Sequence, residues 1–507
     1  MDLNTNVNNS ITNAASLIAP SYSRPLDVHV FSEHSEIGNL VEAIWTANFA
    51  ADFTTVTRKG GAKPKADYRQ QLRVLILDLY VAWKTDPGLS IGVHLSNTAW
   101  NTKSRYNALH LSRVVPSLVH QLADQGLIEL AKGSYSGPGA PTNRTARIIA
   151  AEPLRVMFRE AHFGLQHIHS YPEKEVIIMH DDRRTAREVE YEDTDDTNRM
   201  REEVRAYNHL LSRTFIDVPD QVATHLERPI KLGPRAGEIV RVPVCTLENQ
   251  VRRVFNREDW TCGGRYFGGW WQQVGSEFRK RVHINGRPTV EVDYQALHIA
   301  ILNAGHGQPT TGDPYELAEG LFPDTMPREQ RKLVKRLILV ALNAKDRTTA
   351  CQAFRQGCPV GSTAKTMKNQ DLLVVLDAFA EQHPHLAGDL CADRGIRLMN
   401  TDSQIASYVI NRLTQEGIPV LCIHDSFIVD YGLAGYLKQV MYEATREVIG
   451  CRVAVSWNYM GLDETEQQSP EYLEDYIAFR HRDRSRQSAS RQRLFNERVA
   501  YLEASAG

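Results

Sequence analysis

Two hydrophobic rhythms alternate along this chain. Apolar residues recur every three or four positions over residues 70–83 (Leu72, Leu75, Ile76, Leu79, Tyr80), 109–125 (Leu111, Val114, Val115, Leu118, Leu122) and 198–215 (Met200, Val204, Tyr207, Leu210, Leu211). That spacing predicts amphipathic helices. Residues 37–50 and 472–479 predict shorter ones. Gly126 is placed to end the second helix, while Pro116 leaves its start open. β-rich runs predict strands at 127–130, 145–149, 176–179 and 289–294. One more run, Leu421-Cys422-Ile423-His424-Asp425-Ser426-Phe427-Ile428-Val429, breaks at His-Asp-Ser and then resumes. Two short strands joined by a tight turn read this way.

Two of these strands carry an aspartate at their ends. Asp293 closes Thr289-Val290-Glu291-Val292-Asp293-Tyr294, just before a helical pattern (Gln295, Leu297, Ile299, Leu302), and Asp425 sits at the tip of the later turn. A charge at the apex of a buried strand pair calls for a bound cation or a fixed positive group. Carboxylates this far apart in sequence meet only if their strands are neighbours in one sheet. A pair of carboxylates holding two divalent ions roughly 3.5–4 Å apart is what in-line phosphoryl transfer requires. Between them lies a basic helical pattern, with Arg328, Arg331, Lys332, Lys335 and Arg336 set among Leu333, Val334, Leu337, Ile338 and Leu339. Arg331 and Lys335, four apart, leave one face and make a handle for a triphosphate. With no acidic residue nearer than Glu329, these cations repel one another, and an anionic ligand would relieve that.

Composition adds limits. A chain of 507 residues is too long for one ordinary core, so two or three domains are expected. Its 42% apolar and 24% charged residues argue against wholesale disorder. The net charge of -2 gives no overall nucleic-acid signature, so any such surface must come from local clustering of the 59 Lys and Arg. No apolar run reaches the roughly 20 residues of a membrane span, and no signal-peptide pattern opens the chain. The seven cysteines (245, 262, 351, 358, 391, 422, 451) form no CxxC pair or zinc-ligand spacing, which reads as reduced thiols in a cytoplasmic protein.

The expected organisation has five parts. Residues 1–25 are a disordered leader. Residues 37–160 run helix, strand, basic turn-rich loop, strand, the order of a winged helix-turn-helix. Arg105, Arg113 and His120 then lie near a recognition helix, and Lys132, Arg144 and Arg147 in the wing. A plain helix-plus-hairpin domain or a protein-docking module is the alternative. Residues 161–224 are a connector that could furnish a thumb; the acidic run 188–196 reads as a solvated face. Residues 225–460 hold the chemistry, and 461–507 form a helical, basic tail whose Arg491 and Arg493 could touch phosphates.

The ordered set of motifs resembles the palm and fingers of family A DNA polymerases and the related single-subunit phage-type RNA polymerases, over roughly residues 255–435. Glu291-Val292-Asp293-Tyr294-Gln295-Ala296-Leu297-His298 looks like motif A. Arg331 and Lys335 look like the start of motif B, and Ile423-His424-Asp425-Ser426 like motif C. Gly263-Gly264-Arg265-Tyr266 stands where the family places an element touching the nucleic-acid backbone. Asn400-Thr401-Asp402-Ser403-Gln404 resembles a polar helix near the primer-template junction. The resemblance implies an α+β right-hand palm, an antiparallel sheet with helices, and helical fingers. It implies two Mg²⁺ ions, with Mn²⁺ able to substitute, held by Asp293, Asp425 and the backbone carbonyl of Tyr294. Arg331, Lys335, His298 and Asn343 would face the nucleotide. Arg265, Tyr266, Asp402, Ser403 and His424 would face nucleic acid, with the Trp270-Trp271 pair nearby.

The sequence also departs from the pattern. Asn343-Ala344 replaces the Tyr-Gly expected at the end of motif B, His298 replaces a glutamate that excludes a ribose hydroxyl, and motif C reads His-Asp-Ser rather than His-Asp-Glu. Neither sugar is excluded. The expected function is template-directed nucleotidyl transfer to a 3′-hydroxyl, with DNA template and nucleoside triphosphates as partners, in a replication or priming enzyme of a plasmid, phage or mobile element. An RNA polymerase or primase activity at the same site is the alternative. A DNA-binding initiator or regulator with an inactive palm, and a metal-dependent nuclease, are rivals of other classes.

Overall fold

The computed structural model describes residues 22–49, 67–457 and 484–506, with breaks at 138–139, 141–142, 184–185, 231–236, 245–248, 319, 323–324 and 360; Ile18, residues 469–471 and 474 are also described. Cys245 and the expected helix 472–479, of which only residue 474 is included, lie outside the described residues. The chain divides into two compact units, residues 1–172 and 173–507. Both mix helices with open sheets, and no sheet closes into a barrel among the described residues. Among those residues, no helix is long and apolar enough to cross a membrane.

The first unit starts with strands β1 (Ser23–Pro25) and β2 (Val30–Phe31), then helices α1 (Ser35–Asn48) and α2 (Tyr68–Thr85). Strand β1 falls where a leader is expected; it is held by parallel pairing with β3 (Ser90–Val93), and Arg24 is clamped to buried Asp78 at 2.6 Å. Helix α3 (Val114–Asp124) is followed by β4 (Ile128–Ala131), β5 (Ala146–Ala150), α4 (Glu152–Glu160) and β6 (His169–Ser170). Helix α3 begins five residues later than its apolar spacing predicts. Pro116 sits in its first turn, where a missing N–H breaks no hydrogen bond, so it marks the start of the helix. Leu109 and Leu111 are buried from an irregular segment before it. The sheet order is β1-β3-β5-β4.

The second unit opens with β7 (Ile177–Met179), α5 (Asp195–Ser212), β8 (Ile216–Asp217), and the ribbon β9 (His225–Pro229) and β10 (Ile239–Pro243). Thr194 caps α5, Asp195 and Asp196 lie in its first turn, and Arg201 gathers Glu175 and Asp193, so the acidic run is an ordinary helix entry. Helix α5 is core scaffolding: the Tyr207 hydroxyl donates to the Val420 carbonyl at 2.5 Å, and Asn208 bonds both backbone groups of Val251. Next come β11 (Arg252–Asn256), β12 (Asp259–Phe267), α6 (Ser276–Arg279), β13 (His283–Ile284), β14 (Arg287–Tyr294) and α7 (Leu297–Gly305).

Five helices follow: α8 (Pro327–Asn343), α9 (Arg347–Gln356), α10 (Thr363–Thr366), α11 (Asn369–Gln382) and α12 (Gly395–Gln415). Strands β15 (Leu421–Ile423) and β16 (Ser426–Asp430), helix α13 (Ala434–Ile449), strand β17 (Val455–Trp457) and helix α14 (Arg486–Ala506) complete the chain. The main sheet runs β15-β16-β14-β13-β8, with β17 also paired to β14. In β14 and β16, Val290 pairs with Val429 and Val292 with Phe427, all buried on one face. The alternate positions share the other face, including Glu291 opposite Ile428 and Asp293 opposite Ser426. Helix α14 is docked on β8: Arg491 pairs with buried Asp217 at 2.7 Å, and Ser488 donates to the same carboxylate. Arg491, expected to be available to phosphates in a basic tail, is held as a structural cation.

Candidate active site

The antiparallel register of β14 and β16 sets Asp293 opposite Ser426, one residue from Asp425, and the Tyr294 N–H reaches the Asp425 carbonyl at 3.4 Å. Strands β15 and β16 are joined by only His424 and Asp425. His424 takes φ 58°, a left-handed value that a two-residue hairpin demands and that usually falls to glycine. The two aspartates that the sequence separates by more than a hundred positions thus meet at the end of one strand pair. Burial pushes the Asp293 carboxyl up to about 7, the Asp425 charge adds to the rise, and Lys335 opposes it. Asp425 is also raised, first by burial and then by Asp402.

A second layer of ion pairs underlies these carboxylates, and the sequence pattern did not reveal it. Buried Glu291 is gripped by Arg279 through two hydrogen bonds of 3.0 and 2.8 Å and accepts a third from the Ser426 hydroxyl at 2.9 Å. Its charge is therefore compensated and it is not free to hold a metal. Arg265 donates to Asp402 at 2.7 Å and lies 3.3 Å from His298. Burial raises the Asp402 carboxyl, but His298 and Arg265 outweigh that and hold it below its ordinary value. The Oδ1 atom of Asp402 and the Nδ1 atoms of His298 and His424 are buried without partners.

Glycine makes this layer possible. Gly263 and Gly264, at φ 79° and 88°, form an irregular point in the pairing of β11 with β12. A Cβ on Gly264 would lie 2.7 Å from the Ser403 hydroxyl. Helix α12 can then lie directly on β12, with Asn400 and Ser403 donating to the Gly263 carbonyl at 3.3 Å. Asp402 is brought under Arg265 by the same contact.

The basic helix α8 contributes Lys335, whose charge acts on Asp293. Arg331 is not an unpaired cation as its local sequence suggests: it pairs with Asp313, and Lys332 pairs with Glu329 at 2.6 Å. Both Arg331 and Lys335 lie over the ring of Tyr315, at 5.8 and 5.9 Å. Tyr315 is buried, and burial raises its hydroxyl well above the usual range. Lys332, Lys335, Arg336, Asn343 and Thr349 line a groove of about 590 Å³ along α8. Asn343 donates back to the Leu339 carbonyl at 2.8 Å, and its side chain packs where a Cβ on Gly395 would stand.

Several expected nucleic-acid contacts are corrected by burial. Tyr266 is 1% exposed, with its hydroxyl 3.0 Å from that of Ser407. Ser403 is fully buried. Trp270 and Trp271 are core residues, and the Trp271 N–H donates to the Cys422 carbonyl at 3.1 Å. For Tyr266 and Ser403 the cause is shared: α12 lies on β12 and buries both, while Arg265 of the same strand stays half-buried. His424 packs edge-on against Phe267 with ring centroids 5.3 Å apart. In the first unit Arg113 is exposed and Arg144 half-buried. Arg279 is a member of the site that the sequence did not single out, and Glu291, Asp313 and Tyr315 are members to which it gave no role. The segment Gly312-Asp313-Pro314-Tyr315 offers a signal, since a glycine, a proline and two polar groups stand just ahead of the basic helix.

No protein-family model matches the chain, and no curated protein matches its sequence. Among solved structures the chain is similar to the POL domain of Pol1 from M. smegmatis, determined in complex with DNA primer-template and dNTP. The match has a TM-score of 0.29 and 12% identity and covers 41% of this chain. It spans about half the length of that neighbour, 47%.

The donor set suits a hard divalent cation. Asp293 and Asp425 offer only oxygen, and each is raised toward protonation when nothing positive neutralises the pair. Among the described residues no cage of three or more His, Cys, Asp or Glu side chains is present. Mg²⁺ needs none, because one or two carboxylates with water and substrate phosphates complete its shell.

Proposed function

We propose that this chain is a template-directed nucleotidyltransferase that joins nucleotides to a 3′-hydroxyl, with Asp293 and Asp425 as its metal-binding carboxylates. The observation that carries the reading is the pairing of Asp293 opposite Ser426, which sets two unneutralised carboxylates side by side facing Lys335. When bound there, Mg²⁺ ions would activate the attacking hydroxyl and neutralise the leaving pyrophosphate. The protein's own part is then positioning and electrostatics.

Lys335, whose charge reaches Asp293, would receive the triphosphate. Arg331, half-exposed and tied to Asp313, would exchange that carboxylate for a phosphate. Arg279 locks Glu291 so that the strand carrying Asp293 presents a fixed face. Arg265, fixed by Asp402 and His298, would offer its open edge to a strand. The first unit, with its hairpin and exposed Arg113, would contact the DNA on which synthesis begins. His298, 3.3 Å from Arg265, would stand at the position that selects the sugar.

The test is extension of primed and unprimed DNA templates with Mg²⁺ and either dNTPs or rNTPs, beside Asp425→Ala and Lys335→Ala. Template-dependent product that vanishes in Asp425→Ala, with KM for nucleotide raised in Lys335→Ala, is the expected result, and the preferred nucleotide assigns the sugar. DNA binding without any product would sink the enzyme and leave a regulator with an inactive palm. Strand cleavage in place of synthesis would make it a nuclease.

A further inference from the structure

Arg147 of the first unit is a buried cation whose Nε and Nη1 find no hydrogen-bond acceptor among the described residues. It lies in β5, between β3 and β4, and its cross-strand neighbours are Gly92 and Ala131. Those two opposite partners carry nothing longer than a methyl group, while Ile149 and Glu129 share its face two positions along. The residue is 8% exposed, and its Nε and Nη1 are sealed from water without an acceptor. A buried guanidinium with unmade hydrogen bonds is costly, so a site that keeps one is shaped for an anion that supplies them. Burial lowers its pKa, and repulsion from Arg144, of the same sign, lowers it further.

The same hairpin continues outward as a braced arm. Ser134 and Arg144 exchange two backbone hydrogen bonds of 2.9 Å. Beyond them Asn143 accepts from the Ser136 N–H at 2.7 Å and donates to the Gly137 carbonyl at 2.6 Å. Tyr135 stands on this arm 76% exposed. An exposed ring held beside arginines suits a ligand that alternates phosphates with flat bases. An acidic peptide would satisfy the guanidinium but would leave the ring without a matching surface.

We propose that the β4–β5 hairpin grips a DNA strand, with a backbone phosphate accepting from half-buried Arg144 and from the part of the Arg147 guanidinium that is not sealed, and with Tyr135 against a sugar or base. This rests on the reading of the first unit as the part that contacts DNA, and it names the phosphate site.

The experiment is a fluorescence-anisotropy titration of the full chain with a labelled short duplex and a single strand of the same sequence, at several salt concentrations. Arg147→Met keeps an apolar stem and removes the fork. It is expected to weaken binding about tenfold and to reduce the slope of log K against log salt by about one. Tyr135→Ala, at an exposed tip where folding is not at stake, is expected to weaken binding about fivefold or more with the slope unchanged. Loss on either probe supports the site, and the probe more affected tells duplex from single strand. Wild-type affinity for both probes in Tyr135→Ala, with an unchanged slope in any folded Arg147→Met, overturns it. Extension assays at saturating DNA keep the two proposals apart. If no variant or wild type makes product yet the hairpin variants lose DNA, the hairpin stands and the polymerase falls; unchanged binding beside Asp425-dependent synthesis gives the reverse.

Discussion

Replacing Asp293 with asparagine is expected to stabilise the protein above neutral pH in the absence of divalent ions, while removing the effect of adding them. Burial and the neighbouring Asp425 raise this carboxyl to about 7 in the folded chain, against an ordinary value of 3.8. Between those two values the folded state holds a proton that the unfolded chain has already lost. Stability therefore falls as pH rises through the window, and the whole penalty is present above about pH 7. A shift of about three units corresponds to a ceiling of ~4 kcal/mol at ~1.4 kcal/mol per unit. Half-burial and coupling to Asp425 reduce this to about 1–3 kcal/mol, or a few degrees in Tm.

The assay is thermal unfolding of wild type and Asp293→Asn at several pH values from 4 to 8, each with chelator and with Mg²⁺. Wild type should gain from Mg²⁺ at pH 8 and little at pH 5, whereas the variant should gain little at either. In chelator the variant should be the more stable protein at pH 8 and indistinguishable at pH 4. A variant less stable than wild type at pH 8 in chelator would refute the electrostatic argument. Equal stabilisation of both proteins by Mg²⁺ would refute the assignment of Asp293 as a ligand.

Two further substitutions probe the layer beneath the aspartates. Arg279→Met leaves Glu291 buried with only the Ser426 hydroxyl, and should cost about 3–5 kcal/mol in chemical denaturation, with most of the loss recovered in Arg279→Met/Glu291→Gln; an unaltered midpoint would show that the pair carries no stability. Gly264→Ala forces a side chain onto a backbone at φ 88°, with its Cβ 2.7 Å from the Ser403 hydroxyl and 2.8 Å from the Phe255 ring. It should cost about 2–4 kcal/mol by strain and overpacking and weaken DNA affinity together with stability.

What the sequence determined by itself was local. The turn at His424-Asp425, the strand ending at Asp293 and the apolar stripe of α8 each follow from spacing within a dozen residues. Their elements form close to where that spacing puts them. The meeting of Asp293 with Asp425 was legible too, because two charged strand ends in one buried sheet have few other places to go.

What only the tertiary structure decided was which side chains face each other across long stretches of chain. Arg265 finds Asp402 and Arg253 stacks on Tyr266 because Gly263 and Gly264 let α12 settle on β12, a close approach that no periodicity encodes. Tyr266 and Ser403 are drawn inward by the same packing. Arg331 looked unpaired until a loop 18 residues upstream brought Asp313 to it. Helix α3 starts at Val114 because Pro116 tolerates only a first turn, while the apolar residues before it are buried from irregular backbone. Periodicity reports which face of an element is apolar. Packing against partners distant in sequence then fixes which buried charges find one another, and among the described residues it leaves Nε and Nη1 of Arg147 without an acceptor.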